Sequence, residues 1–463
     1  IKEYGMALGH RRTERQEEFW VATAKLPGSI SHVFYDALNG VLRDGGFDEF
    51  AETLCEPYYQ DGGRPGIPPG TYFRMIFVGY FEGLDSQRGI AWRCSDSLSL
   101  RKFLGSGLDE KTPDHSSLTR IRQRLPLDVF EQVFAFVLSL VEAHGLLKGK
   151  TVGVDSTLLE ANAAMKSIVR KDTGEDWEAY VRRLAEAEGV EIHNDNDLRK
   201  FDRKRKGKKT SNTEWESPSD PDARIMKMKK GYTHLSYKQE HVVDLETEVV
   251  LAVEVYHGNQ SDADTLEDSV NTAQGHLLEA GSQAVIEEAV ADKGYHKNQT
   301  LATCREQGLR TYFCEPDGPH RRWTDKPDGY EDAYRANRRR LAGERNKRLQ
   351  KLRCERTERS FAHVCETGGG RRTQLRGLEN NRKQADLRVA AHNLGLILRK
   401  LLGSGKPREF AGLFGLLLAM FSALQAVCSH LKPLPGHRRS TSPSNSDGET
   451  SRNVPALIPP LGP

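Results

Sequence analysis

The stretch Thr151-Val152-Gly153-Val154-Asp155-Ser156-Thr157 decides how the rest of the chain is read. Its short β-branched run has period-two character, then gives way to one carboxylate and small polar residues. That is the pattern of a strand that lifts Asp155 to its edge, beside open space. Taken alone, such an aspartate does no more than cap the following turn. Two later segments offer it partners. Residues 284–290 read as another strand, running into Ala291-Asp292-Lys293-Gly294-Tyr295, where Gly294 is available for a sharp turn. A long helix further on carries Glu355 and Glu358.

Upstream, the first 150 or so residues read as helical. Pro68-Pro69-Gly70 is a good helix entry before an apolar cluster that includes Phe73, Phe77 and Phe81. Asp114 can cap a helix carrying Arg120, Arg122 and Arg124, either a solvated surface or phosphate contacts. Downstream, residues 166–230 form a polar insertion. Its block Arg203-Lys204-Arg205-Lys206 reads as a nucleic-acid arm, disordered in isolation, or as a solvated loop. From Tyr232 the pattern turns β, with short strands at 232–238, 241–245 and 249–256. A helix at 262–278, the Asp292 strand, a helix at 301–307 and a strand at 310–314 follow. Residues 382–402 repeat Leu and Ala as one apolar face of an amphipathic helix. The order predicts a mixed α/β core with helices for both faces, preceded by an all-α region.

Composition bounds the function. A chain of 463 residues predicts two to four domains at roughly 150 residues each. Hydrophobic content of 37% beside 29% charged residues describes a water-soluble protein. The net charge of +3 is near neutral, so its distribution matters more than its sum. Residues 318–359 hold 14 Lys or Arg against 7 acids, and include Arg338, Arg339, Arg353 and Arg359. Seven cysteines without a CxxC pair argue for a reducing cytosol rather than a disulfide framework. Residues 410–428 are nearly all apolar, but Gly412, Gly415, Ser422 and Gln425 interrupt them, which favours a buried C-terminal helix over a membrane span. The Pro-, Ser- and Thr-rich residues 431–463 read as a disordered tail.

Three acids from separate segments make chemical sense if they share divalent cations, since crowded carboxylates otherwise raise one another's pKa. Oxygen-only ligands suit Mg²⁺, which keeps several waters and accepts phosphate oxygens. Two such ions can serve phosphodiester cleavage, and surrounding cations would hold a polyanionic strand beside them.

At this point the motifs carry a resemblance. The segments 152–157, 217–224, 291–295 and 358–361, with Arg376-Gly377-Leu378-Glu379-Asn380 and Ala391-His392-Asn393-Leu394, resemble the DDE transposases of bacterial insertion sequences. Residues 65–124 resemble that family's helical N-terminal domain. The resemblance implies a ribonuclease-H-like mixed sheet flanked by helices, with Asp155, Asp292 and Glu358 as catalytic metal ligands for two Mg²⁺ (Mn²⁺ as a substitute). It also implies double-stranded DNA as partner, both terminal inverted repeats and target, a homodimer in the active complex, and a cytoplasmic, nucleoid-associated protein with no membrane contact. The expected domains are a lead-in (1–60), a DNA-binding helical domain (61–148), a catalytic domain (149–402), an apolar helix (403–430) and the tail. Around Glu358 the family favours Tyr, Arg and Lys where this chain has Lys351, Cys354 and Cys365, leaving Arg353 and Arg359 to contact phosphate. Glu355 stays open as the alternative third ligand. A nuclease without strand transfer and a non-catalytic DNA-binding descendant are the competing functions.

Overall fold

Aromatic and aliphatic residues at helical spacing make the chain begin in helices: α1 (Ile30–Asp44), α2 (Phe47–Cys55), α3 (Pro69–Glu82), α4 (Gln87–Asp96), α5 (Leu98–Phe103), α6 (His115–Arg124) and α7 (Leu127–Ala143). The computed structural model describes residues 30–60, 66–207, 211–228, 231–318, 321–368 and 370–410. The apolar segment beyond residue 410, the tail and residues 1–29 lie outside these described residues. Asp114 caps α6 as expected, accepting from the Ser117 amide at 2.8 Å. That bond and the Ser116 hydroxyl hold its carboxyl down at about 2.

The strand Thr151–Glu160 (β1) opens a mixed sheet. The insertion follows, with β2 (Val169–Arg170), α8 (Trp177–Ala187), α9 (Asp195–Lys204), α10 (Ser211–Glu214) and β3 (Trp215–Glu216). Then come β4 (Arg224–Lys227), β5 (Thr233–Asp244), β6 (Val250–His257), α11 (Asp262–Glu279), β7 (Glu288–Ala291), α12 (Asn298–Glu306) and β8 (Arg310–Phe313). Three helices close the described chain: α13 (Tyr330–Leu341), α14 (Glu344–Phe361) and α15 (Leu378–Leu402). The sheet runs β4-β5-β1-β7-β8, with β6 also on β5. β1 pairs antiparallel with β5 and parallel with β7, and β7 parallel with β8. This is the ribonuclease-H-like arrangement, with an all-α region before it.

Side chains on β1 alternate between two environments. Val152 and Val154 are fully buried, while a Cβ on Gly153 would meet Leu245 at 2.7 Å and Arg353 at 3.2 Å. Glycine at 153 therefore lets α14 lie close against the sheet. On each of the edge strands β6 and β8 a buried asparagine satisfies the backbone of one residue. Asn393 of α15 exchanges two hydrogen bonds with the Val250 backbone (3.1 and 2.8 Å). Asn337 of α13 does the same at Phe313 (3.1 and 2.9 Å).

Three expectations need correction. The two short strands read at 232–245 are one strand, β5, whose polar middle is buried and satisfied by tertiary partners. The helix read as amphipathic is buried almost all round from Ala385 to Leu398, packed between β6, α7 and α3, while Leu401 is exposed. The third is the Ser217–Asp222 segment, read above only as part of the 217–224 motif. Asp220 accepts from the Gly377 amide and Asp222 from the Leu378 amide, both at 3.0 Å. Their carboxylates supply the N-terminal cap that Gly377 lacks.

The insertion is a folded lobe rather than a loose arm. Tyr180, Val181, Leu198 and Trp215 are buried, and the Arg170 guanidinium stacks 4.2 Å from the Tyr180 ring centroid. Arg205 is drawn in with them: its side chain, 5% exposed, meets Glu214 at 2.5 Å and Asp202 at 2.7 Å. Arg205→Ala removes one partner of the buried Glu214, which also meets Arg170 at 3.3 Å, so the lobe should lose about 3 kcal/mol, the low end for a broken buried pair. Amide hydrogen exchange should show that loss confined to residues 169–216.

At the joint of α7, β6 and α15, Arg382 lies 2.7 Å from both Glu131 and Glu254, with Asp386 buried one turn on. Burial, against the pull of Arg382, pushes Glu254 up to about 7. A carboxyl whose folded pKa exceeds its unfolded one contributes stability below the ordinary glutamate range and loses it as pH rises through about 7. Glu254→Gln should therefore raise Tm relative to wild type more at pH 8 than at pH 5.5, as read by thermal melts at both values.

Candidate active site

Asp155 is not at the end of its strand. β1 continues to Glu160 against β5, but its parallel ladder with β7 stops at the Gly153–Val290 pair. The open space beside Asp155 is thus made by the end of β7, and Asp292 is the next residue after that strand. One carboxylate accordingly stands on β1 and the other just past the end of β7, where the pairing of these two parallel strands opens.

Three donors fix Asp155. The Ser156 amide donates to Oδ1 at 2.8 Å; Arg353 Nη1 at 3.0 Å and Thr357 Oγ1 at 3.3 Å donate to Oδ2. Burial is the largest influence on its carboxyl and lifts it above the usual aspartate range, against Arg353 and the Ser156 amide. The neighbouring Asp292 charge adds to that rise. Asp292 accepts from the Gly294 amide at 2.7 Å. Gly294 is not in the left-handed region; what it contributes is room. A Cβ there would meet Asp292 Oδ1 at 3.0 Å and Asp262 Oδ2 at 2.7 Å.

Helix α14 brings the third acid. Its sheet face is polar: Gln350 donates to the Tyr312 carbonyl at 2.7 Å, Arg353 and Thr357 reach Asp155, and Ser360 meets His241 at 3.0 Å. Glu358 follows Thr357 by one residue, is exposed, and lines the same groove of about 390 Å³ as Asp155, Ser156 and Thr157. Among the described residues it has no hydrogen-bond or ion-pair partner. Glu355 lies on the opposite side of the helix from the Arg353–Thr357 face, at 3.6 residues per turn, and pairs with Arg359 at 2.7 Å. Asp292 does not line the groove itself; it adjoins Asp155 from the β7 side.

The donor set fits a hard divalent cation in kind. All three groups are carboxylates, and a guanidinium supplies the counter-charge to Asp155. Among the described residues, no three acid, histidine or cysteine side chains converge closely enough to hold one ion together. The fit is of chemistry and adjacency, not of a closed cage.

The basic residues divide into two groups. Arg120 and Arg124 on α6, Arg203, Lys204 and Lys206 at the end of α9, and Arg338 and Arg339 on α13 are exposed. The others have partners within the fold. Arg353 is buried on Asp155, and the side chain of Arg205 is enclosed in the lobe against Glu214. Arg359 pairs with Glu248 and Glu355, and half-buried Arg122 donates to Asn380 at 3.2 Å. Charge density along the sequence does not separate a cation that faces solvent from one that neutralises a nearby acid. Asp262 was missed altogether: at the first position of α11 it reads as an ordinary acid favoured by the helix dipole.

A ribonuclease-H-like sheet with acids on two adjacent strands and a third on a following helix defines a class of nucleic-acid-processing enzymes. Comparison with family models makes this specific. A transposase domain model (DUF772) matches residues 26–124, and a transposase DDE domain model matches residues 190–394. The chain belongs to the DDE transposases, a family that acts on DNA and typically uses divalent metals. No curated protein and no solved structure matches it. Among the described residues, no helix is long and apolar enough to cross a membrane.

Proposed function

We propose that the chain is an active transposase that binds terminal inverted repeats, cleaves DNA strands in a metal-dependent step, and joins the freed 3′ ends to target DNA. The observation that carries this reading is the meeting of Asp155 and Asp292 where β1 and β7 part, with Glu358 facing the same groove as Asp155. Asp155, Asp292 and Glu358 would hold Mg²⁺ or Mn²⁺. Two ions so bound supply activation of a water or 3′-hydroxyl and stabilisation of the leaving oxygen. Arg353 and the Ser156 amide keep Asp155 oriented toward the groove, and Gly294 keeps space open beside Asp292.

Residues 61–148 are assigned to end recognition and 149–402 to chemistry, with the exposed cations on α6, α9 and α13 contacting phosphates. Pairing of two ends requires at least a dimer in the active assembly, and a cytoplasmic, nucleoid-bound protein follows from that task. The test is an assay with a duplex carrying the element's terminal repeat, a supercoiled target and Mg²⁺. Nicks at the repeat boundary followed by joined products are expected. Nicks without joining would leave a nuclease, and end binding without any cleavage would leave a DNA-binding descendant; either result overturns the proposal.

A further inference from the structure

Beneath the acids lies a set of buried charges and hydroxyls that the chemistry above does not use. Lys238 and Glu240 of β5 are 3% and 0% exposed, and point to α11 rather than to α14. Glu240 accepts from Ser269 Oγ at 2.6 Å, from Tyr295 Oη at 2.7 Å and from Thr265 Oγ1 at 3.0 Å. Lys238 Nζ donates to Thr265 at 2.7 Å and to Asp262 Oδ1 at 3.2 Å, and sits 3.6 Å from Glu240. The same Asp262 oxygen accepts from Ser156 Oγ at 2.8 Å.

The two ends of this chain of contacts are the informative part. Ser156 follows Asp155 and gives it its amide, so one end grips the Asp155 position on β1. Tyr295 closes the short turn Lys293–Tyr295 that Asp292 caps, so the other end grips the Asp292 position after β7. Asp262 also walls the space at Gly294, where its Oδ2 and Asp292 Oδ1 crowd one point. A buried lysine–glutamate pair is a poor source of stability, since well-packed apolar residues do as well. A fully hydrogen-bonded one fixes geometry, because each member has few alternative partners.

We infer that the Ser156–Asp262–Lys238–Glu240–Tyr295 network is a positioning device that sets the separation of the Asp155 and Asp292 carboxylates for the divalent cation. The inference rests on the metal-centre reading of those two acids. Ser156 and Tyr295 are its two handles, and neither is assigned to touch substrate or metal. Groups that orient metal ligands from behind typically change affinity by about 10- to 100-fold when removed.

The test is Mn²⁺ binding to the full chain without DNA, followed by electron paramagnetic resonance, for wild type, Ser156→Ala, Tyr295→Phe and Asp155→Asn. Thermal melts in EDTA accompany each. Tyr295→Phe leaves Glu240 its two hydroxyl donors and Lys238, and Ser156→Ala leaves Asp262 its lysine, so both variants should melt near wild type. Each should bind Mn²⁺ about tenfold more weakly. Wild-type affinity in both variants, or an affinity loss that appears only with a matching fall in melting temperature, overturns the inference. Asp155→Asn separates the two readings. If it too binds Mn²⁺ like wild type, the metal-centre assignment itself has failed. If it alone loses binding, only the positioning network has.

Discussion

Asp155→Asn should abolish strand cleavage while leaving the fold intact. The replacement keeps the side chain's shape and an oxygen for the Ser156 amide, and puts an amide nitrogen where Oδ2 met Arg353 and Thr357. It removes the charge that would hold a cation. Metal stabilisation of developing charge is worth several kcal/mol, and at a factor of ten per 1.36 kcal/mol the rate should fall by roughly three orders of magnitude or more. Stability should behave differently. Burial holds the Asp155 carboxyl above its usual range, so keeping its charge in the fold without metal carries a desolvation cost that the neutral asparagine does not. The asparagine should therefore melt within a few degrees of wild type in EDTA. Cleavage rates on an end-bearing duplex in Mg²⁺, with melts alongside, check both halves. Cleavage retained by Asp155→Asn would sink the mechanism.

The second large effect separates two glutamates one helical turn apart. Glu358→Gln should reduce cleavage to nearly the Asp155→Asn level, because Glu358 is exposed on the groove and has no partner among the described residues. Its stability cost should stay within about 0.5 kcal/mol, as for a surface substitution. Glu355→Gln should change the rate less than about threefold and cost about 0.3–0.5 kcal/mol, the worth of an exposed i,i+4 pair such as its contact with Arg359. Single-turnover cleavage of both variants at saturating Mg²⁺ decides the assignment. Equal losses, or a larger one at Glu355, would reverse it.

Where side-chain period follows burial, the sequence was readable. β1 alternates and forms a strand; Phe73, Phe77 and Phe81 recur at helical spacing and form α3. Reading broke down where polar groups are buried with partners. Lys238, Gln239, Glu240 and His241 interrupt an apolar pattern and suggest a gap, yet they form the middle of β5 because α11 and α14 satisfy them. Helix α14 has few apolar residues, so no period marks the face that meets the sheet; Arg353 and Thr357 face it because Asp155 is there.

The three acids stood out in the sequence as an ordered trio of candidates with recognisable flanks. Their surroundings did not, because they depend on contacts far apart in sequence. Arg353 reads as a phosphate contact and turns out to be the counter-charge of Asp155. Gly294 reads as a turn former; it lies in the Lys293–Tyr295 turn and also leaves room between two carboxylates. Asp262 gives no signal beyond that of any first-turn acid, although it ties Ser156 to Lys238.

That three distant segments form one divalent-metal centre is tested most directly by replacing Mg²⁺ with Fe²⁺ and mapping where ascorbate and peroxide cut the polypeptide. Hydroxyl radicals formed at the bound iron should cut near residues 155, 292 and 358 together, and excess Mg²⁺ should suppress all three sets of cuts. Iron-dependent cutting that leaves any of those segments intact, or that Mg²⁺ does not suppress, would contradict the shared centre.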